Sequence, residues 1–139
     1  MKKIIPILLC MIIAFVSCDK SQTTVGGEEP EVEKKHFNVS PRSFSWKHYR
    51  IDYAPTSTTF NVESNAEWYC YMEGGFTGGK LSKTEGKGNG GVTYSFDQLK
   101  HMGQQERGTL YFVWTDENNK TQKVSCSLYR KYASIEEIH

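Results

Sequence analysis

An excess of charge of either sign is the first thing this chain lacks. Its 139 residues carry 17 Lys and Arg against 16 Asp and Glu. Nucleic acid is therefore not an expected partner, because it is held by clustered cationic charge. Histidine is scarce and scattered, at positions 36, 48, 101 and 139, with no spacing that suits a metal. No metal or cofactor is expected. No Ser, His and acid stand in a recognisable nucleophile motif. Paired carboxylates for glycoside hydrolysis cannot be assigned either, since Glu63, Glu67, Glu73 and Glu85 are ordinary surface candidates. The stretch "EGKGNGG" at 85–91 lacks the Gly-Lys-Ser/Thr ending of a phosphate loop and runs into a strand-like "VTYSF". It reads as a flexible connection between strands, with Lys87 at an exposed rim. The chain is expected to be non-enzymatic. A sustained helical period is missing as well, and "IEEI" at 135–138 is too short to define an element.

Long apolar runs are absent but for residues 4–16, which follow Lys2 and Lys3 and are broken only by Pro6. A comfortable membrane span needs about 20 apolar residues, so a secretory signal peptide over 1–17 is expected, with a single-span anchor as the alternative. "FVSC" at 15–18 resembles a bacterial lipobox, although Phe15 is bulkier than the usual Leu or Val. The resemblance implies that Cys18 becomes the lipidated first residue of the mature chain. Each buried acyl methylene adds about 0.8 kcal/mol, so two or more chains on one Cys anchor stably. The expected location is the bacterial cell envelope, at the outer membrane, on either its periplasmic or its surface face.

Loss of residues 1–17 leaves 122 residues, enough for one domain and a linker. Residues 18–35 are polar, with Gly26, Gly27, Pro30 and Glu at 28, 29, 31 and 33, and have almost nothing to bury. They read as a flexible tether. From His36 the texture changes to short runs of aromatic and β-branched residues between Gly, Asn and Pro, an all-β signature. "HFNVS" and "SFSWK" flank Pro41 and suggest two short edge pieces. "TTFNVES" turns Phe60 and Val62 inward, and "GVTYSF" does the same with Val92, Tyr94 and Phe96. "EWYCYM" sets Trp68, Cys70 and Met72 against Tyr69 and Tyr71. "RGTLYFVWT" sets Leu110, Phe112 and Trp114 against Tyr111 and Val113. "DENNK" is a turn through Asn118 and Asn119, and "KVSCSLY" closes the series with Val124, Cys126 and Leu128 inward.

About seven strands in roughly one hundred residues predict an immunoglobulin-like two-sheet sandwich over 36–132, with 133–139 as a C-terminal tail. Trp68 then fills the space between the sheets. Cys70 and Cys126 face the core from strands separated by a third, about 9.5 Å apart, beyond the reach of a disulfide. Two buried free thiols are expected.

The residues resemble the BACON domains of Bacteroidetes envelope proteins. The resemblance is carried by "FNVSPRSFSW" at 37–46, "VESNAEW" at 62–68, "EGKGNGGVTYSF" at 85–96, "ERGTLYFV" at 106–113 and "KVSCSLY" at 123–129. It spans about residues 36–130. "KHYRIDYAP" at 47–55 looks like an insertion, and Leu128, Tyr129 and Arg130 stand where the last strand of the family commonly ends in Gln. The resemblance implies an immunoglobulin-like module accompanying carbohydrate-active enzymes, with a proposed glycan- or mucin-binding role or a spacer role.

Tyr69 and Tyr71 on the fourth run, Tyr111 on the next to last and Tyr129 on the last are expected to share one outward face. Aromatic rings stack on the C–H faces of sugars, and their hydroxyls hydrogen-bond. A protein partner uses the same chemistry, and tyrosine is also simply a good strand former. Trp46, Tyr49, Arg50 and Tyr53 define a possible second contact loop, or a segment that folds back over a sheet edge. Two functions fit: recognition of a glycan, or of a partner in a glycan-uptake system, and a structural or protein-interaction lipoprotein without sugar specificity.

Overall fold

The computed structural model describes residues 31–138. Cys18, the expected signal peptide and the tether to residue 30 lie outside the described residues. From Lys34 onward the chain forms two sheets. One is built from β1 (Phe37–Ser40), β3 (Ser57–Ser64), β7 (Gly90–Ser95) and β5 (Lys80–Leu81), in that spatial order. The other contains β2 (Ser43–His48), β9 (Thr121–Tyr132), β8 (Gln105–Thr115), β4 (Glu67–Gly74) and β6 (Glu85–Lys87). All seven expected strands are present, and Pro41 lies where the chain leaves the edge of the first sheet for the edge of the second. β2 runs parallel to β9, and every other pairing is antiparallel.

Alternation of side chains fills the space between the sheets. The first sheet contributes Val39, Phe60, Val62, Val92, Tyr94 and Phe96, all buried. The second contributes Trp68, Cys70, Leu110, Phe112, Cys126 and Leu128. Trp68 is 3% exposed, meets Phe112 edge-on at 5.8 Å, and donates its indole N–H to the Gly88 carbonyl at 2.9 Å. Cys70 and Cys126 are buried and unpaired, on β4 and β9 with β8 between them.

Four details depart from the sequence reading or extend it. The Gly-rich stretch is not a flexible connection throughout. Glu85–Lys87 is an edge strand on β4, and Gly86 lies against the Trp68 ring, where a Cβ would stand 2.4 Å from Cζ2. Gly86 is thus fixed by close packing, which composition alone does not reveal. Val113 points to the outer face, yet it is only 5% exposed. Its register neighbours are Tyr69 and Lys123, with Tyr111 next on its own strand, and these long side chains shield a short one. Residues 133–138 are packed onto the domain: Ala133 is buried and donates its N–H to His48, and Ile135–Ile138 makes one helical turn. Arg130, inward on β9, is 2% exposed, and nothing in the alternation pattern anticipates a buried guanidinium.

Arg130 closes one end of the core. Its guanidinium lies 4.6 Å from the Phe76 ring and 4.9 Å from that of Phe96. It donates to the Asp97 carbonyl at 2.6 Å and to Glu106 Oε2 at 2.7 Å. Glu106 also accepts from the backbone and hydroxyl of Thr77. Burial would raise the Glu106 pKa, but the Thr77 and Arg130 hydrogen bonds more than offset it and hold the carboxyl below its ordinary value.

Candidate functional site

The outer face of the five-stranded sheet brings three of the four expected tyrosines together. Tyr71 and Tyr111 are directly opposed across β4 and β8 and stack at 5.2 Å. Tyr69, two residues before Tyr71 and so on the same face, stacks on it at 6.4 Å. Cross-strand aromatic pairs of this kind stabilise a sheet by about 0.2–1 kcal/mol each. Lys123 lies 4.4 Å above Tyr111 and 5.5 Å from the Tyr71 centroid. A hydrogen bond to Tyr71 and the phenols beside it raise the Lys123 pKa above the ordinary lysine value. Two of the three rings therefore have an internal partner.

Tyr129 shares the face but stands apart. It pairs with Arg107, four residues from Tyr111 along β8, which is about 13 Å of strand. The Arg107 guanidinium covers it at 4.6 Å, and its hydroxyl donates to Gln105 at 3.5 Å. A shared face is legible from alternation, whereas continuity of the patch depends on register, which one sequence does not specify.

Tyr69 is the most open of the group, at 52% exposure. It forms one wall of a depression of about 670 Å³ lined also by Glu67, Glu85, Lys87, Val113 and Thr115. The register explains the assembly. Glu67 pairs with Lys87 and Tyr69 with Glu85 across β4 and β6, while Val113 opposes Tyr69 across β8. An aromatic wall, the side of a valine, two carboxylates, an ammonium and a hydroxyl thus converge on one shallow space. That set can stack on a flat apolar surface and hydrogen-bond the polar groups around its rim. In the sequence Glu67 and Glu85 look like ordinary surface residues, because a two-residue period does not reveal that β6 folds back beside β4.

The second candidate loop has its own internal order. Trp46 and His48 belong to β2, and a 3-10 turn spans Ile51–Tyr53. The Tyr49 ring stacks on His48 at 4.7 Å. Arg50 lies 4.5 Å above Tyr53 and pairs with Asp52 at 2.9 Å, which raises the Arg50 pKa and lowers that of Asp52. Tyr53 is 62% exposed. Gln98 donates to the Ile51 carbonyl and Ala133 to that of His48, so the loop is tied to one end of the sandwich. It lies apart from the depression beside Tyr69, with no lining residue in common. Among the described residues no three His, Cys, Asp or Glu side chains form a group able to hold a metal ion, and no helix is long and apolar enough to cross a membrane.

No family model matches the sequence, and no curated protein matches it. Solved structures do match in fold. A Bacteroides ovatus GH5 xyloglucanase, solved in complex with a XXXG heptasaccharide, aligns at TM-score 0.52 and 15% identity over 72% of this chain. The periplasmic chaperone SfaE aligns at TM-score 0.53 and 4% identity over 69%. The Pseudomonas aeruginosa chaperone CupB2 aligns at TM-score 0.51 and 5% identity over 73%. The chain spans 20% of the xyloglucanase and 57% and 58% of the two chaperones. With two packed sheets in this order, the domain is an immunoglobulin-like β-sandwich. At such identities the likeness speaks for the fold and leaves function to the site.

Proposed function

We propose that this protein is a non-catalytic recognition module of a bacterial envelope, lipid-anchored through Cys18, that takes a glycan chain on the outer face of its five-stranded sheet. The observation that carries the reading is Tyr69: half exposed, backed by Tyr71, and forming the wall of a depression rimmed by Glu67, Glu85 and Lys87. A sugar ring stacks on Tyr69 there and offers its hydroxyls to the carboxylates and the ammonium. The resemblance to BACON domains agrees with this role, as does a like fold occupying about one fifth of a xyloglucanase chain. A glycan array probed with the soluble chain tests it: binding to a defined set of oligosaccharides supports the reading, and a blank array removes the glycan.

A second reading has its own observation. Lys123 already occupies the Tyr111 and Tyr71 rings, as a face without a ligand requires. Under that reading the protein is an interaction or spacer lipoprotein without sugar specificity.

A further inference from the structure

The strand register leaves one edge of the five-stranded sheet half covered. Among the described residues, β2 pairs with β9 over residues 127–132, and residues 121–126 of β9 pair with β8 alone. The Ser127 N–H donates to the Arg42 carbonyl on the β2 side, whereas the Tyr132 N–H donates to Gln104 on the β8 side. Backbone groups alternate direction along a strand, so odd-numbered residues of β9 address the β2 side. Thr121, Lys123 and Ser125 therefore direct their N–H and C=O groups to the vacant side, and all three residues are exposed. This opening is about 20 Å of strand.

The segments that form this side carry charge of one sign. Residues 34–51 and 120–134 make up β1, β2, β9 and their flanks, and neither stretch contains an Asp or Glu. They carry exposed Lys35, Arg42, Lys47, Lys120 and Lys123 in a chain whose total charge is balanced. Carboxylates reach this side from elsewhere, and Glu73 acts on the Lys123 ammonium. Glu117 accepts from the Lys35 N–H, Asp116 is held by the turn amides and Gln122, and Glu137 pairs with Lys131. Lysines alone are a common guard against edge-to-edge association. Two flanking segments without a carboxylate of their own go further, because their surplus of cations favours an anionic partner.

We propose that the vacant half of β9 takes an extended, acidic segment of a partner polypeptide by strand addition. Its backbone pairs with Thr121, Lys123 and Ser125, alternate apolar side chains cover Val124, and alternate acidic ones meet Arg42, Lys120 and Lys123. This edge meets the tyrosine face at Lys123, which lies over Tyr111 and Tyr71, but the strand addition does not depend on the glycan reading.

The test is residue-resolved amide hydrogen exchange on the intact chain. It uses a short capped peptide of alternating Val and Glu, its Val–Lys counterpart, and phosphatidylcholine vesicles containing phosphatidylserine. The Val–Glu peptide should slow exchange at Thr121, Lys123 and Ser125 by about tenfold or more and leave β3 unchanged. The Val–Lys peptide and the vesicles should not. Ser125→Pro removes an edge donor without touching the β8 ladder and should abolish the effect. If that variant fails to fold, Arg42→Glu with Lys120→Glu, both on exposed side chains, should do the same. No slowing with the Val–Glu peptide, equal slowing with Val–Lys, or retention in the charge-reversed variant would overturn the proposal. Protection by vesicles and not by peptide would assign this side to a lipid surface and overturn it as well.

Discussion

At the scale of single residues, burial sets the chemistry. Both thiols, Cys70 and Cys126, are pushed up to about 11 by burial, which disfavours the thiolate. Neither should react with iodoacetamide in the native protein at pH 8, and both should react once it is unfolded; native labelling would show that the core opens. Glu106 titrates the other way. Its folded pKa lies below its unfolded one, so the stability it contributes is present above the unfolded value and is lost as pH falls through the folded value. Glu106→Ala leaves the Arg130 guanidinium buried and unpaired, a loss of about 3–5 kcal/mol near neutral pH that should shrink in acid. Denaturant midpoints across pH check this. Trp68, Cys70 and Phe112 were legible as core because a two-residue period placed them inward. Arg130 and Val113 were not, because their burial comes from neighbours supplied by other strands.

At the scale of elements, the β4–β6 pairing holds the candidate site in shape. Gly86 lets β6 lie on the Trp68 ring, and a methyl there cannot fit without displacing the indole. Gly86→Ala should destabilise by about 1–3 kcal/mol, the usual cost of overpacking. Trp68→Ala, which empties the same contact, should cost about 3–5 kcal/mol. Urea unfolding of the two variants measures both, and an unchanged midpoint in either would show that the contact is loose. The strands themselves were readable from alternation, and the turn at 116–120 from its Asn pair, with Asn119 at φ 64°. The return of residues 85–87 beside β4 was not, because a run of glycines looks the same whether it is free or held against a ring.

At the scale of the whole molecule, the chain enters the sandwich beside the β8–β9 turn, where the Lys35 N–H meets Glu117. Lipidation at Cys18 would tether it from that end. Cys18→Ala should leave an unprocessed or soluble species while the wild type partitions with membranes; equal partitioning of the two contradicts the anchor. The fold class was legible from strand count and turn spacing, since those are local properties. The candidate site was half legible: alternation gathered Tyr69, Tyr71 and Tyr111 on one face, but the rim of Glu67, Glu85 and Lys87 needed the register. On the proposed reading the tyrosine face is the binding surface, with Tyr69 as its open ring. Its most direct test is calorimetric titration of a glycan identified on the array into Tyr69→Ser and, in parallel, Tyr129→Ser. Tyr69→Ser should weaken affinity at least tenfold while lowering the unfolding midpoint only modestly, through the lost stacking on Tyr71, and Tyr129→Ser, whose ring is covered by Arg107, should bind as the wild type does. Equal affinity for the wild type and Tyr69→Ser would contradict it.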